Sequence, residues 1–245
     1  MTGNSSSRYP LIDAWRGLAI ALMVIFHFCF DLAYYRLAAF DFYRDPFWLH
    51  ARTFILSQFL LLVGVGLVFA THRGLAWNRY LKRLGRVGAG AAAVTLATWW
   101  LFGDRFVFFG VLHFILVASI LALPLARRPA LAAVAGLAAL LVGNLLSSSW
   151  FDQPGRRWLG LMTHKPATED YVPLLPWIGV VLLGITLGHG LVRLGPRRLS
   201  RPRLESLGWM RALAFSGRHS LLIYLVHQPL LMGLLYPVAT VFGGR

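Results

Sequence analysis

The amino-acid sequence predicts an all-α protein, a polytopic transmembrane bundle of about seven helices with a cytoplasmic N-terminus. Of the 245 residues, 58% are hydrophobic and only 13% are charged, and the mean hydropathy is +0.63. A soluble core of this size could not bury so much apolar surface, which indicates a membrane protein. The apolar residues also fall into runs of about 20, the length that crosses about 30 Å of hydrocarbon as a helix.

Seven segments are long and apolar enough to span a membrane. In chain order they are 11–35, 48–71, 85–102, 106–125, 130–146, 174–192 and 220–242. Residues 1–10 are polar and short, so we expect a disordered tail there rather than a signal peptide. Residues 11–245 contain no convincing repeat and no linker, and they predict a single integral-membrane domain.

The connections between these segments predict the orientation. The connection 72–86 carries five basic residues and no acidic one, the turn between the fourth and fifth segments carries two arginines, and 193–218 carries seven arginines against one glutamate. The alternate connections have balanced charges. Because the basic connections fall on one side, the positive-inside rule places that side in the cytoplasm and the C-terminus outside. The net charge of +15 therefore indicates contact with anionic lipid rather than with nucleic acid.

The first predicted helix carries three ionisable side chains on one face. His27 lies 11 residues after Arg16, which is about 20° around the helix and about 16 Å along it, and Asp31 lies one turn further. Ionisable groups in hydrocarbon face the protein interior and usually have a function. We expect Arg16 at phosphate level and Asp31 beside His27, where a carboxylate would orient the imidazole and raise its basicity, as a general base requires. The alternatives are an interface anchor for Arg16, an interhelical hydrogen bond for His27, and an outer-interface carboxylate near the end of the span for Asp31.

Other predicted helices carry polar side chains at comparable depth. These are Gln58 on the second, His113 on the fourth, and Tyr224, His227 and Gln228 on the seventh. Together they predict a polar-lined cavity, although packing is the alternative for each residue taken alone. The histidines lack the HxxxH or HxxE spacing of metal ligands, so we expect no metal.

Two arginines precede the third apolar run. Arg83 and Arg86 are three residues apart, so they share one helix face at the expected level of the cytoplasmic phosphates. Their ligand is either lipid phosphate or the phosphates of a nucleotide-containing cosubstrate. On the opposite side, the connection 147–171 is the longest, and it is either a lid or recognition loop or a simple connection.

Four stretches of the chain carry a resemblance to a known family. In order they read "LIDAWRGLAIALMVIFHF", "GVLHFI", "DYVPLLPWIGVVLLGITLG" and "GRHSLLIYLVHQP". They resemble bacterial membrane proteins of the heparan-α-glucosaminide N-acetyltransferase-like catalytic-domain family, within the transmembrane acyltransferase superfamily. The Arg and His of the first helix in that superfamily match Arg16 and His27. Its cytoplasmic Arg-x-x-Arg, implicated in acyl-CoA binding, matches Arg83 and Arg86.

The resemblance implies an enzyme of the bacterial cytoplasmic membrane. It would move an acetyl or other acyl group from cytoplasmic acyl-CoA to an extracytoplasmic envelope glycan or lipid-linked sugar. His27 with Asp31 is the candidate catalytic pair, and His113 and His50 are the alternative histidines. Gln58, Tyr224, His227 and Gln228 would contact the substrate.

The expected partners are membrane lipid, acyl-CoA and the acceptor, and a homodimer is compatible with the pairing of relatives. The rival interpretation is a polytopic transporter or flippase that uses the same polar face as a translocation path. The absence of an inverted repeat in the sequence argues against this rival.

Overall fold

The computed structural model describes residues 9–195 and 206–242, with no description of the Phe242 side chain. The described residues form helices joined by turns, with one isolated bridge between Phe109 and Tyr171, which confirms the all-α prediction. The helices are α1 (Pro10–Tyr34), α2 (Pro46–Thr71), α3 (Trp77–Phe102), α4 (Val111–Ala122), α5 (Pro129–Leu145), α6 (Leu174–Leu194), α7 (Gly208–Arg218) and α8 (Ser220–Phe242). Residues 1–8 of the predicted tail lie outside the described residues.

Four of these helices are long and apolar enough to cross a membrane. They are α1, α2, α6 and α8, whereas α4 and α5 are apolar but shorter. The number of seven crossings and the side of the N-terminus stay predictions. Two predicted boundaries were wrong: α3 begins at Trp77, well before residue 85, because its basic first turns are helical too. Helix α4, the fourth predicted segment, begins at Val111 rather than at residue 106, because Gly110 is extended and the preceding residues form a turn.

The chain divides into two compact units, Met1–Phe59 with Leu194–Arg245, and Leu60–Arg193. In the first unit, α1 packs closely against α7. A Cβ added to Gly17 would overlap the backbone of Leu213, and one added to Gly217 would overlap the carbonyl oxygen of Asp13. The absence of side chains at these two glycines therefore lets the two helix backbones touch.

Helix α7 was not predicted from the sequence. It lies in the basic connection 193–218, where the arginines hide a short apolar stripe. The stripe consists of Met210, Ala214 and Gly217, at helical spacing, and it is the face that is buried. Ala14 of α1 forms a small core with the first two of these residues.

In the second unit, side-chain hydrogen bonds join the termini of several helices on one side of the unit. The Tyr80 hydroxyl donates to the carbonyl of Ser119, which joins the start of α3 to the end of α4 (2.7 Å). The Arg127 guanidinium donates to the last carbonyl of α2, that of Thr71, at 3.0 and 3.2 Å. His189 of α6 contacts the carbonyl of Ala126 at 2.9 Å. Consecutive helices of this unit therefore run in alternating directions.

The other end of this unit contains the start of the "DYVPLLPW" stretch. The Asp170 carboxylate accepts a hydrogen bond from the backbone N–H of Val111, in the first turn of α4 (2.9 Å). A Cβ on Gly110 would run into this carboxylate. Since the N-terminus of a helix has unpaired N–H groups and a positive partial charge, the Asp170 carboxylate stabilises the start of α4.

We therefore expect Asp170→Ala to lower the thermal unfolding midpoint of the detergent-solubilised protein. The loss corresponds to about 0.5–2 kcal/mol, as for other helix-capping carboxylates. The matched control is Asp104→Ala, because Asp104 is an exposed acid in the turn after α3. Equal midpoints for the two variants, read by intrinsic fluorescence, would show that the contact contributes nothing.

Candidate functional site

Four polar side chains of the first unit meet between α1 and α8. This buried polar cluster consists of His27, Asp31, His227 and Gln228. Asp31 is 1% exposed and His227 is 7% exposed, which is unusual for such groups in an apolar helix pair. His27 and Asp31 are one turn apart on α1, and the two α8 residues are consecutive, so each pair lies within one turn of its own helix, and the packing of α1 against α8 brings the two pairs together.

Backbone carbonyls fix both histidine rings in one tautomer. Nδ1 of His27 lies 2.9 Å from the carbonyl oxygen of Met23, and Nδ1 of His227 lies 2.7 Å from that of Tyr224. A carbonyl oxygen only accepts, so each Nδ1 carries the proton and each Nε2 keeps its lone pair in the neutral ring. The ring centroids are 4.9 Å apart, at an interplanar angle of 77°. Two basic nitrogens are therefore available close together.

The partner of Asp31 is not the one that the sequence predicted. The Gln228 amide donates to Oδ1 of Asp31 at 2.6 Å. The prediction that Asp31 orients His27 was therefore wrong, since the orienting contact of His27 comes from Met23, one turn earlier on the same helix. A histidine in a helix can always reach the carbonyl four residues before it, and the i, i+4 spacing of two side chains does not reveal this competition.

Three atoms of the cluster are buried and have no hydrogen-bond partner: Oδ2 of Asp31, Nε2 of His227 and Oε1 of Gln228. All three are acceptors in the hydrogen-bond arrangement described above. Leaving a buried polar atom unpaired costs about 1–3 kcal/mol. The cluster therefore suits a ligand that brings O–H or N–H donors. Among the described residues, no three His, Cys, Asp or Glu side chains gather as a metal site.

Three other predicted site residues of the first unit, Arg16, Gln58 and His50, lie outside the buried polar cluster. Arg16 forms an ion pair with Asp13 (3.3 Å), and its side chain is 30% exposed. Gln58 accepts a hydrogen bond from the indole N–H of Trp15 (2.7 Å), which ties α2 to α1. His50 is exposed, and its Nδ1 contacts the carbonyl of Pro46 on the same helix.

His113 belongs to the second unit, and both of its ring nitrogens are occupied. Nδ1 accepts from the backbone N–H of Gly110 (3.3 Å). Nε2 lies 3.0 Å from the Thr95 hydroxyl, which in turn donates to the carbonyl of Val107 (2.7 Å). His113 therefore links α4 to α3, and no nitrogen of this ring is left to act as a base.

The basic end of the second unit contains both predicted phosphate ligands. Arg83 is half-buried, and Arg86 is exposed with its Nε donating to the carbonyl of Lys82. The other exposed basic residues of the adjoining turns and helix ends are Arg73, Arg79, Lys82, Arg127, Arg128 and Arg193. The described part of these connections has no acidic side chain, so this end attracts anions.

The connection 147–171 is ordered by its own side chains. Thr163 donates to both carboxylate oxygens of Asp152, from its hydroxyl (2.7 Å) and its backbone N–H (2.9 Å), and these bonds lower the pKa of Asp152. The Tyr171 hydroxyl donates to the carbonyl of Arg157, and burial raises the pKa of Tyr171 to about 12. The hydroxyl therefore stays protonated at neutral pH and keeps the connection in place.

One family model matches the chain. It is described as heparan-alpha-glucosaminide N-acetyltransferase, catalytic, and it matches residues 8–229. No curated protein and no solved structure matches the chain. The matched range contains the whole buried polar cluster, and it contains both arginines at the start of α3.

Proposed function

The chain belongs to the heparan-α-glucosaminide N-acetyltransferase catalytic family, and on this premise we propose that it is an acyl-CoA-dependent membrane acyltransferase. The chain is a multi-pass membrane protein of a transferase family. The proposed reaction moves an acetyl group, or another acyl group, from cytoplasmic acyl-CoA to an envelope glycan or lipid-linked sugar outside the bacterial cytoplasmic membrane.

The tautomer of His27 is the observation that carries this proposal. Its Nδ1 proton is held by the Met23 carbonyl, so Nε2 is the nitrogen that can take a proton. A general base needs this arrangement, with one ring nitrogen fixed and the other open to the substrate. The unpaired acceptors of Asp31 and Gln228 supply binding partners for the hydroxyl or amine of the acceptor.

The proposed step begins with the acceptor O–H or N–H directed at Nε2 of His27. The proton moves to Nε2 while the acceptor oxygen or nitrogen forms a bond to the acyl carbon. The bond between that carbon and the CoA sulfur then breaks, and the leaving thiolate takes the proton from the imidazolium. His227, whose own Nε2 is unpaired and whose ring lies 4.9 Å from that of His27, provides a second acceptor for the proton.

We assign the CoA phosphates to Arg83 and Arg86. A guanidinium pair three residues apart on one helix face offers parallel N–H donors to phosphate oxygens. Arg16 is a further proposed anion ligand, and its ion pair with Asp13 would have to open for that role. His113 and His50 receive no part in the chemistry. Both ring nitrogens of His113 are occupied by structural hydrogen bonds, and His50 is an exposed residue outside the buried polar cluster.

Titration of the purified protein with acetyl-CoA tests the donor side. We expect saturable binding, which Arg83→Ala weakens by about tenfold, the loss of about one charge-assisted hydrogen bond. Arg52→Ala is the matched control, because Arg52 is an exposed arginine of α2 outside the basic end. Isothermal calorimetry reports both. Absence of acetyl-CoA binding by the wild type would favour the transporter interpretation.

A further inference from the structure

A shallow cleft of about 330 Å³, widely open to its surroundings, lies where α1 ends, beside α8. Its lining, here called the tyrosine cleft, consists of Tyr34, Tyr35, Arg36, Tyr236, Ala239 and Thr240. Three aromatic rings and one guanidinium dominate this lining. Flat rings suit the faces of a sugar, and a guanidinium suits a phosphate.

The tyrosine cleft follows the buried polar cluster along the same two helices. Tyr35 lies one helical turn beyond Asp31, and its hydroxyl donates to the carbonyl of Met232 on α8 (3.3 Å). On α8, Tyr236 lies about two turns beyond Gln228. A molecule bound in the cleft therefore lies one to two helical turns from the unpaired acceptor atoms of the buried polar cluster.

Arg36 occupies a backbone position that usually belongs to glycine. Its φ is 58°, and the N–H groups of Arg36 and Leu37 bond to the carbonyls of Ala33 and Leu32, which is the Schellman ending of a helix. Residues other than glycine are uncommon in this conformation. The Arg36 side chain is exposed and lines the cleft, so its guanidinium can meet a ligand there.

The two helices that line the cleft also carry exposed apolar side chains. Phe28 of α1 and Leu230 and Leu234 of α8 are between 41% and 63% exposed. In a membrane, such a surface accommodates an acyl or prenyl chain, and the helix end lies at the level of the phosphates.

We propose that the tyrosine cleft binds the head of a glycolipid acceptor in which a phosphate joins the sugar to the lipid. Arg36 holds the phosphate, the tyrosine rings hold the sugar, and the lipid chain lies along α1 and α8. This inference rests on the proposed function, and it selects the lipid-linked class of acceptor over a soluble glycan.

Native mass spectrometry of the purified protein in detergent tests the inference with three added lipids. Geranylgeranyl phosphoglucose carries sugar and phosphate, geranylgeranyl glucoside carries only sugar, and phosphatidylglycerol carries only phosphate. We expect the phosphoglucose lipid to be retained about tenfold better than either of the others, since each loses one of the two contacts.

The variants Arg36→Gly and Arg36→Gln should lower retention of the phosphoglucose lipid to that of the glucoside. Glycine suits the φ of this position, so Arg36→Gly should keep or raise the thermal midpoint while binding is lost. Arg44→Gln, an exposed arginine of the same connection that is outside the cleft lining, should change nothing.

Equal retention of phosphatidylglycerol and the phosphoglucose lipid would overturn the inference, because the cleft would then be only an interface for ordinary headgroups. Equal behaviour of the Arg36 and Arg44 variants would overturn it as well. Acetyl-CoA binding is measured on the same samples. If acetyl-CoA binds and the phosphoglucose lipid does not, this inference alone fails, whereas loss of acetyl-CoA binding in the wild type removes the proposed function.

Discussion

Replacement of His27 by alanine should lower acyl transfer from acetyl-CoA by about 10²- to 10⁴-fold, the usual contribution of a general base. The physical reason is that Nε2 of His27 is the open nitrogen of a ring whose other nitrogen is held by a backbone carbonyl. Release of the CoA thiol, followed with a thiol reagent in the presence of an envelope lipid extract, measures the rate. Membrane insertion of the variant should be normal, because alanine is a good helix former.

His50→Ala is the matched control, because His50 is an exposed histidine whose Nδ1 also contacts a carbonyl of its own helix. This control should keep the wild-type rate. His227→Ala should have a smaller effect than His27→Ala, since His227 only offers a second position for the proton. Full activity of His27→Ala would remove the mechanism, whatever the other two variants show.

Substitution of Gly17 by valine should have the largest effect on stability. Even a Cβ at this position would overlap the backbone of Leu213, and backbone atoms cannot move aside as the end of a side chain can. Separation of α1 from α7 would also expose the core formed by Ala14, Met210 and Ala214. We expect a loss of about 3 kcal/mol or more, the upper end of the range for overpacking.

The thermal midpoint of the purified variant, read by fluorescence-detected gel filtration, measures this effect. Gly85→Ala is the control, because nothing lies within 4 Å of a Cβ at Gly85. Alanine there should raise stability by about 0.5–1 kcal/mol through its helix propensity. A Gly17→Val protein as stable as the wild type would show that the α1–α7 contact is not as close as described.

The long helices were predictable because a helix that crosses the hydrocarbon of a membrane needs about 20 consecutive, mostly apolar residues. Apolar runs of sufficient length placed α1, α2, α6 and α8 to within a few residues, and no other feature of the sequence competes with that signal. Helix α7 escaped prediction, since its buried stripe of three small or flexible residues is interrupted by Arg211 and followed directly by Arg218.

Part of the buried polar cluster was more predictable than its contacts. Helical periodicity placed His27 and Asp31 on one face, and position within the seventh segment placed His227 and Gln228 at comparable depth; these four side chains meet. The other residues predicted at that depth, Gln58 and His113, have different contacts. Periodicity does not say which neighbour wins a hydrogen bond. Met23 supplies the bond to His27 through its backbone, and every residue type has the same carbonyl, so the sequence contains no signal for it.

Mass spectrometry of envelope lipids and glycans is the most direct test of the acyltransferase account. The four strains to compare all lack the chromosomal gene; one carries no copy of it, and the others carry a plasmid copy of the wild type, of His27→Ala or of His50→Ala. The account predicts a species that lacks an acyl group in the deletion strain and in the His27→Ala strain, with the acylated form restored by the other two. Identical envelope profiles in all four strains would contradict it.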